Sequence, residues 1–186
     1  VGLRRWPVVL AALFLSLAQG FGNDQEKLLK IARDAVVSEV RGTPLEHVVR
    51  GKLPVQPVFV TIEVGGVVRG CRGSLTTRAT SLEDEIRLAA QGAAEHDPRY
   101  KPLTEKESFN FKVTITIVDR KEPTSDIAGL TPEEGLALES GDRWGIVLPW
   151  EGKDPQTRLK WAYQKAGLPV GSPATVYRLY ATRFRG

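Results

Sequence analysis

Hydrophobic positions along this chain switch between a helical period and a strand period. Leu28, Ile31, Ala32, Ala35 and Val36 recur every three or four residues, and Lys27, Lys30, Arg33 and Asp34 fill the opposite side. That stripe predicts an amphipathic helix, capped by Asn23 or Asp24 and running to about Val40, with Gly42 as its stop. Pro44, Pro54 and Pro57 keep residues 43–57 out of regular pairing. The period then becomes two. Val58–Val64 and Val67-Val68 flank Gly65-Gly66, the pattern of a hairpin whose type I′ turn needs positive φ twice. In a regular ladder Val60 faces Cys71 and Val58 faces Gly73, so Cys71 falls on the apolar side and its sulfur is expected in the core. A bulge at Gly70 would turn every later residue to the other face.

The second half repeats the alternation. Thr80 or Ser81 opens a helix, with Thr80 and Glu83 at capping-box spacing. Leu82, Ile86, Ala89, Ala90 and Ala93 form its buried stripe, and Pro98 ends it near His96-Asp97. Residues 109–118 read as the longest strand, with Thr114 and Thr116 alternating with Val113, Ile115 and Ile117 as in a half-buried antiparallel strand. Gly135–Glu139 and Trp144–Pro149 make a second hairpin about Gly141-Asp142. A helix from Pro155 to Ala166 stops at Gly167, and residues 175–181 form a closing strand. The expected fold class is α+β: an antiparallel β-sheet packed with about three helices. Residues 21–186 make one domain, as a single body or as a large and a small lobe.

Composition narrows the function classes. A chain of 186 residues can build a core without disulfide staples. The formal net charge is +4, and half of it comes from Arg4 and Arg5. So small a charge is no footprint for nucleic acid or an acidic membrane. Tyr177 and Tyr180 fall on opposite faces of a regular strand, so they form no single stacking platform. Arg4 and Arg5 precede an apolar run from Trp6 to Leu17, and Ala18-Gln19-Gly20 supplies small residues. That order predicts a signal peptide over residues 1–20 and an exported protein, periplasmic or secreted, with no membrane span after cleavage. The alternative is an uncleaved leader acting as a membrane anchor, although the run is short for a span.

Two motifs point to a family. Arg69-Gly70-Cys71-Arg72-Gly73-Ser74-Leu75 follows the first hairpin, and Asp97-Pro98-Arg99-Tyr100-Lys101-Pro102-Leu103 follows the second helix. With Gly135-Leu136-Ala137-Leu138 and Leu148-Pro149, they make residues 25–184 resemble the AMMECR family. Bacterial members of that family are called protein A of the AmmeMemoRadiSam system. The resemblance implies an AMMECR-domain fold and no settled activity. It also implies Memo-like and radical S-adenosylmethionine proteins as partners in modification chemistry. Arg72 stands where the family usually has an apolar residue, the segment Trp150–Asp154 is short, and a leader is unusual in a family of mostly intracellular members.

Cys71 is the candidate catalytic residue, because Arg69 and Arg72 on either side would favour a thiolate. A nucleophilic cysteine also needs a base, and only His47 and His96 exist. The competing reading is a small hydrophobe inside the fold. Arg69, Gly70, Arg72, Gly73, Asp97 and Arg99 are candidate binding residues. The glycines admit either a ligand or a neighbouring helix, and Asp97 with Arg99 makes either a site or a self-bonded turn. One cysteine and two separated histidines predict no metal centre, and no cofactor motif is present. Two functional classes follow: a binding or accessory module for a small molecule or a protein at the Cys71–Asp97 region, or an enzyme using the Cys71 thiol.

Overall fold

The structure, a computed structural model, describes residues 8–45 and 51–186, with side chains of the first helix from Asp24 onward. Three helices pack with one antiparallel sheet. In chain order the elements are α1 (Val8–Arg41), β1 (Val58–Val64), β2 (Val67–Ser74), α2 (Leu82–Glu95), β3 (Lys112–Pro123), β4 (Gly135–Ser140), β5 (Arg143–Val147), α3 (Pro155–Lys165) and β6 (Thr175–Arg185). A 3₁₀ turn at Glu107–Phe109 precedes β3. The α+β expectation holds.

The expected cap at Asn23 or Asp24 does not: α1 runs through both residues. No proline interrupts residues 8–43, so nothing in the backbone opposes continuation of the helix. Its end is as expected. Gly42 takes φ 61°, and the Thr43 N–H donates to the Ser38 carbonyl at 3.1 Å. Most of the leader, residues 1–7 and the side chains of 8–23, lies outside the described residues. Among the described residues no helix is long and apolar enough to cross a membrane.

The sheet order is β2-β1-β3-β6-β4-β5. One face of β1 and β3, with Val58, Val60, Ile62, Val113, Ile115 and Ile117, is sealed by α1 and α2. The helices contribute Leu28, Ala32, Ala35 and Val36 from α1, and Ile86, Ala89, Ala90 and Ala93 from α2. A second core joins β4, β5 and α3 through Leu136, Leu138, Val147, Ala162 and Tyr163. Phe59, Val118, Ala137, Leu148 and Leu179 form a third cluster on the opposite face of the sheet, with Cys71, Trp144 and Ile146 packed against it. Cys71 and Trp144 stand on the two edge strands. Five strand spacings of about 4.8 Å would keep them far apart in a flat sheet, so the sheet curls to bring them to one cluster.

The start of α2 departs from the capping-box expectation. Ser81 is the cap, and its hydroxyl accepts from the Asp84 N–H at 3.2 Å. Glu83 is buried and instead accepts the Lys52 and Leu53 amides at 3.2 and 3.1 Å. Glu85, also buried, accepts the Arg78 and Ala79 amides at 2.7 and 2.8 Å. The first turn of α2 thus holds the loops on both sides, its carboxylates favoured by the helix dipole.

Candidate functional site

The hairpin turn forms at Gly65 and Gly66, with φ 58° and 82°. The regular ladder does not. Glu63 pairs with Val68 but Ile62 pairs with Gly70, so Arg69 is an extra residue on β2. The bulge sits one residue before the position considered from sequence, and it reverses the face of the remaining β2 residues. Thr61, rather than Val60, opposes Cys71. The expectation of a core-facing sulfur is therefore corrected: Cys71 is half-buried on the side away from α1 and α2. The bulged Arg69 forms an ion pair with Glu107, Nε to Oε1 at 2.7 Å. Glu107 also accepts from the Thr104 amide, and with Arg69 as the larger cause its carboxyl is pulled down to about 2.

Gly70 and Gly73 have steric roles. A Cβ on Gly70 would lie 1.9 Å from the Ala93 carbonyl oxygen of α2, and one on Gly73 would lie 2.1 Å from the Val58 oxygen and 2.6 Å from the Phe59 Cα. Neither has positive φ. Close approach is what requires glycine here. Arg72 opposes Val60 on the α2 side, its Cβ 3.5 Å from where a Cβ on Gly92 would lie.

Asp97 is buried at the end of α2 and accepts the Cys71 N–H at 2.9 Å. The Arg99 guanidinium grips it from the other side, at 2.9 Å through Nε and 2.7 Å through Nη2. Nη2 also donates to the Cys71 carbonyl at 3.1 Å. Burial alone would raise the Asp97 carboxyl; the Arg99 guanidinium and the Cys71 and Arg99 amides outweigh it and hold the group below its ordinary value. Asp97 and Arg99 thus take the place of a neighbouring strand on the open edge of β2. A similar cap lies on the other edge of the sheet, where Lys165 donates to the Ile146 carbonyl at 2.9 Å.

Between these edges lies a groove of about 770 Å³, within the range of small-molecule pockets. Phe59, Thr61, Cys71 and Thr116 line it from the first three strands, and Trp144 and Ile146 from β5. Arg99 and Tyr100 border it on one side, Trp150, Glu151 and Lys165 on the other. Burial pushes the Cys71 thiol up. The Thr61 hydroxyl, 3.1 Å from the sulfur, opposes that shift, Glu151 adds to it, and Arg99 and Lys165 act weakly against it. At neutral pH the sulfur is protonated. No described histidine lines the groove: His96 is exposed at the end of α2, 3.5 Å from Glu39, and His47 lies outside the described residues.

The turn after β5 is strained. Glu151 N–H donates to the Leu148 carbonyl at 3.1 Å, with Pro149 second and Trp150 third in the turn. Trp150 takes φ 65°. In that pattern the third position is a glycine position, and a bulky residue there costs about 1–2 kcal/mol. The Trp150 N–H is held by the Pro132 carbonyl at 2.7 Å, and the residue is left 54% exposed at the groove.

Comparison with known proteins agrees with this architecture. The AMMECR1 family model matches residues 29–186. The chain belongs to the AMMECR1 family. A protein of Thermotoga maritima is 35% identical over 132 residues, covering 68% of this chain and 76% of the relative. One from Aeropyrum pernix is 34% identical over 183 residues, covering 87% and 78%. The crystal structure of the uncharacterized protein PH0010 from Pyrococcus horikoshii superposes with a TM-score of 0.73 at 26% identity, covering 86% of this chain and 90% of that one. These AMMECR1 relatives span archaea and bacteria.

Of the residues proposed from sequence, Cys71, Gly73, Asp97 and Arg99 meet at the groove, with Arg72 at its border. Arg69 and Gly70 serve the ion pair and the helix contact instead. Sequence reasoning missed Thr61, Thr116, Trp144, Trp150 and Lys165 as groove residues. The first two become readable once the bulge is known, because they share the face of Cys71. It also missed that Glu39 of α1 joins Glu95 and His96, their ligand atoms within 4.8 Å of one another, at an exposed surface away from the groove.

Proposed function

We propose that this AMMECR1 chain is a binding module whose groove takes a small molecule or a short segment of a partner protein. The observation that carries the reading is Trp150. A tryptophan in a backbone conformation suited to glycine reduces stability, and such strain is characteristic of ligand-contacting positions. Half-exposed Trp150 offers a flat apolar wall, and the floor of Phe59, Thr61 and Cys71 completes a pocket bordered by polar side chains. Cys71 is a floor residue in this reading, a protonated thiol without a neighbouring described imidazole.

The test is Trp150→Gly on the purified protein, together with mass spectrometry of co-purified molecules. The variant should be more stable to urea by about 1 kcal/mol, and should lose the molecules that wild type retains. A variant that is less stable and retains them would overturn the reading. A thiol enzyme is the second reading, favoured by the Thr61 hydroxyl at 3.1 Å from the sulfur. It requires fast alkylation of folded wild type at neutral pH, where the binding reading requires slow alkylation. Export of a chain beginning near Phe21 is a further part of the proposal, checked by amino-terminal sequencing. Memo-like and radical S-adenosylmethionine proteins are the partners to try in pull-downs.

A further inference from the structure

The groove contains polar groups that the fold leaves uncommitted. Its carboxylates are all engaged: Asp97 with Arg99, Glu151 with Lys165, and Glu63 with Arg185. Of its cations, Arg99 and Lys165 are engaged in the same pairs, and Arg183 is not. No hydrogen bond or ion pair among the described residues uses the guanidinium of Arg183, which lines the groove from β6. Directly across from it on β3 stands Thr116, the register partner of both Arg183 and Phe59. Thr116 is only 2% exposed and lines the groove, and among the described residues its hydroxyl is likewise unused. Two residues along the same face, the Thr114 hydroxyl is buried without a partner.

The Thr116 hydroxyl, unlike that of Thr114, is not sealed from solvent, so water or a ligand group in the groove is its partner. Residues facing each other on adjacent antiparallel strands hold their Cβ atoms about 5 Å apart. The Thr116 hydroxyl and the Arg183 fork can therefore donate to a single acceptor group. Arg183 is exposed, and a guanidinium beside a hydroxyl is a donor set suited to a carboxylate or a phosphate.

We infer that Thr116 and Arg183 form an anion subsite in the groove, and that the ligand joins an anionic group to a flat apolar body. The anion sits on β3 and β6, beside Phe59, and the apolar body extends towards Trp144, Trp150 and Cys71. This assignment rests on the binding-module reading and adds the chemical class of the ligand.

Benzoate, phenyl phosphate, benzyl alcohol and inorganic phosphate make a sufficient probe set, followed by tryptophan fluorescence and by protection of Cys71 from alkylation. Benzoate or phenyl phosphate should bind at least tenfold tighter than benzyl alcohol and also tighter than inorganic phosphate. The tighter of the two assigns a carboxylate or a phosphate to the natural ligand. Arg183→Gln and Thr116→Val should each erase that preference and leave benzyl alcohol within twofold of wild type. Both positions lie outside the ion pairs of the fold, so the variants should keep the wild-type melting curve. Equal binding of charged and neutral probes, unaffected by Arg183→Gln, overturns the anion subsite and leaves the groove reading standing. Binding by none of the four also overturns it, and the co-purified molecules with Trp150→Gly then decide the groove reading separately.

Discussion

Two hairpin-and-helix units face each other across the groove, and they share one plan while differing in how the helix is held. β1 and β2 carry α2; β4 and β5 carry α3. In each, a glycine on the outer strand lets the helix backbone come close. A Cβ on Gly70 would lie 1.9 Å from the Ala93 oxygen, and a Cβ on Gly145 would lie 1.7 Å from the Ala162 oxygen. The first unit is then thickened by α1 into a dry aliphatic core. The second has one helix, pinned by the fully buried Arg158, whose guanidinium donates to the Thr131 carbonyl at 2.8 Å and to the Glu134 carbonyl. Both units have an apolar core, and in the second the smaller core is supplemented by the directed hydrogen bonds of Arg158. The strained Trp150 lies on the second.

The largest effect that would break this parallel is steric. Gly70→Val and Gly145→Val should each destabilise by about 3 kcal/mol, at the upper end of overpacking, because the obstacle is backbone and not a movable side chain. Urea melts at pH 7 measure both, and a loss at one glycine only would show that the two contacts are not equivalent. Next comes Arg158→Ala, which leaves buried carbonyls without donors and should cost about 2–3 kcal/mol. Leu136 and Leu138 amides should then lose hydrogen-exchange protection while those of β1 keep theirs.

A smaller effect is acid sensitivity on the side of the first unit. The Glu107 carboxyl lies at about 2 in the folded chain against an ordinary 4.5, so the folded state binds fewer protons than the unfolded chain between those values. Its contribution is fully present above the unfolded value and is lost as pH falls through that window towards 2. Glu107→Gln should flatten the loss of stability measured from pH 5 to pH 2.5. The smallest effect is Cys71→Ala, about 1 kcal/mol by the same urea melts, since the lost side chain is small and borders the groove. A loss as large as that of Gly70→Val would restore Cys71 to the core.

Much of the frame was legible in the sequence, for local reasons. The Gly65-Gly66 turn, the Gly42 and Gly167 stops and the apolar stripes of α1 and α2 are set by neighbours within one or two turns of chain. The site was legible only in part. Cys71 and Asp97 were singled out and both line the groove, but the extra residue at Arg69 has no local signature. Arg69 is neither glycine nor in positive φ, and its reason is a distant partner, Glu107. The face of Cys71 depended on that one residue. The far wall was hidden for a similar reason: the curl that brings β5 opposite β2 arises from pairings across the whole sheet. Trp150 gave the opposite of a turn signal, since the third position after Leu148-Pro149 is where glycine would have been expected.

The caps on the two sheet edges also bear on how the chain behaves in a crowded solution. A second copy can add to a sheet only where consecutive N–H and C=O groups are free along an edge. On β2 the Cys71 amide and carbonyl are occupied by Asp97 and Arg99, and on β5 the Ile146 carbonyl is occupied by Lys165. Each edge is interrupted within a short strand of 8 or 5 residues, which leaves no long uninterrupted template for growth. The residues that frame the groove therefore also act as gatekeepers against edge-to-edge aggregation.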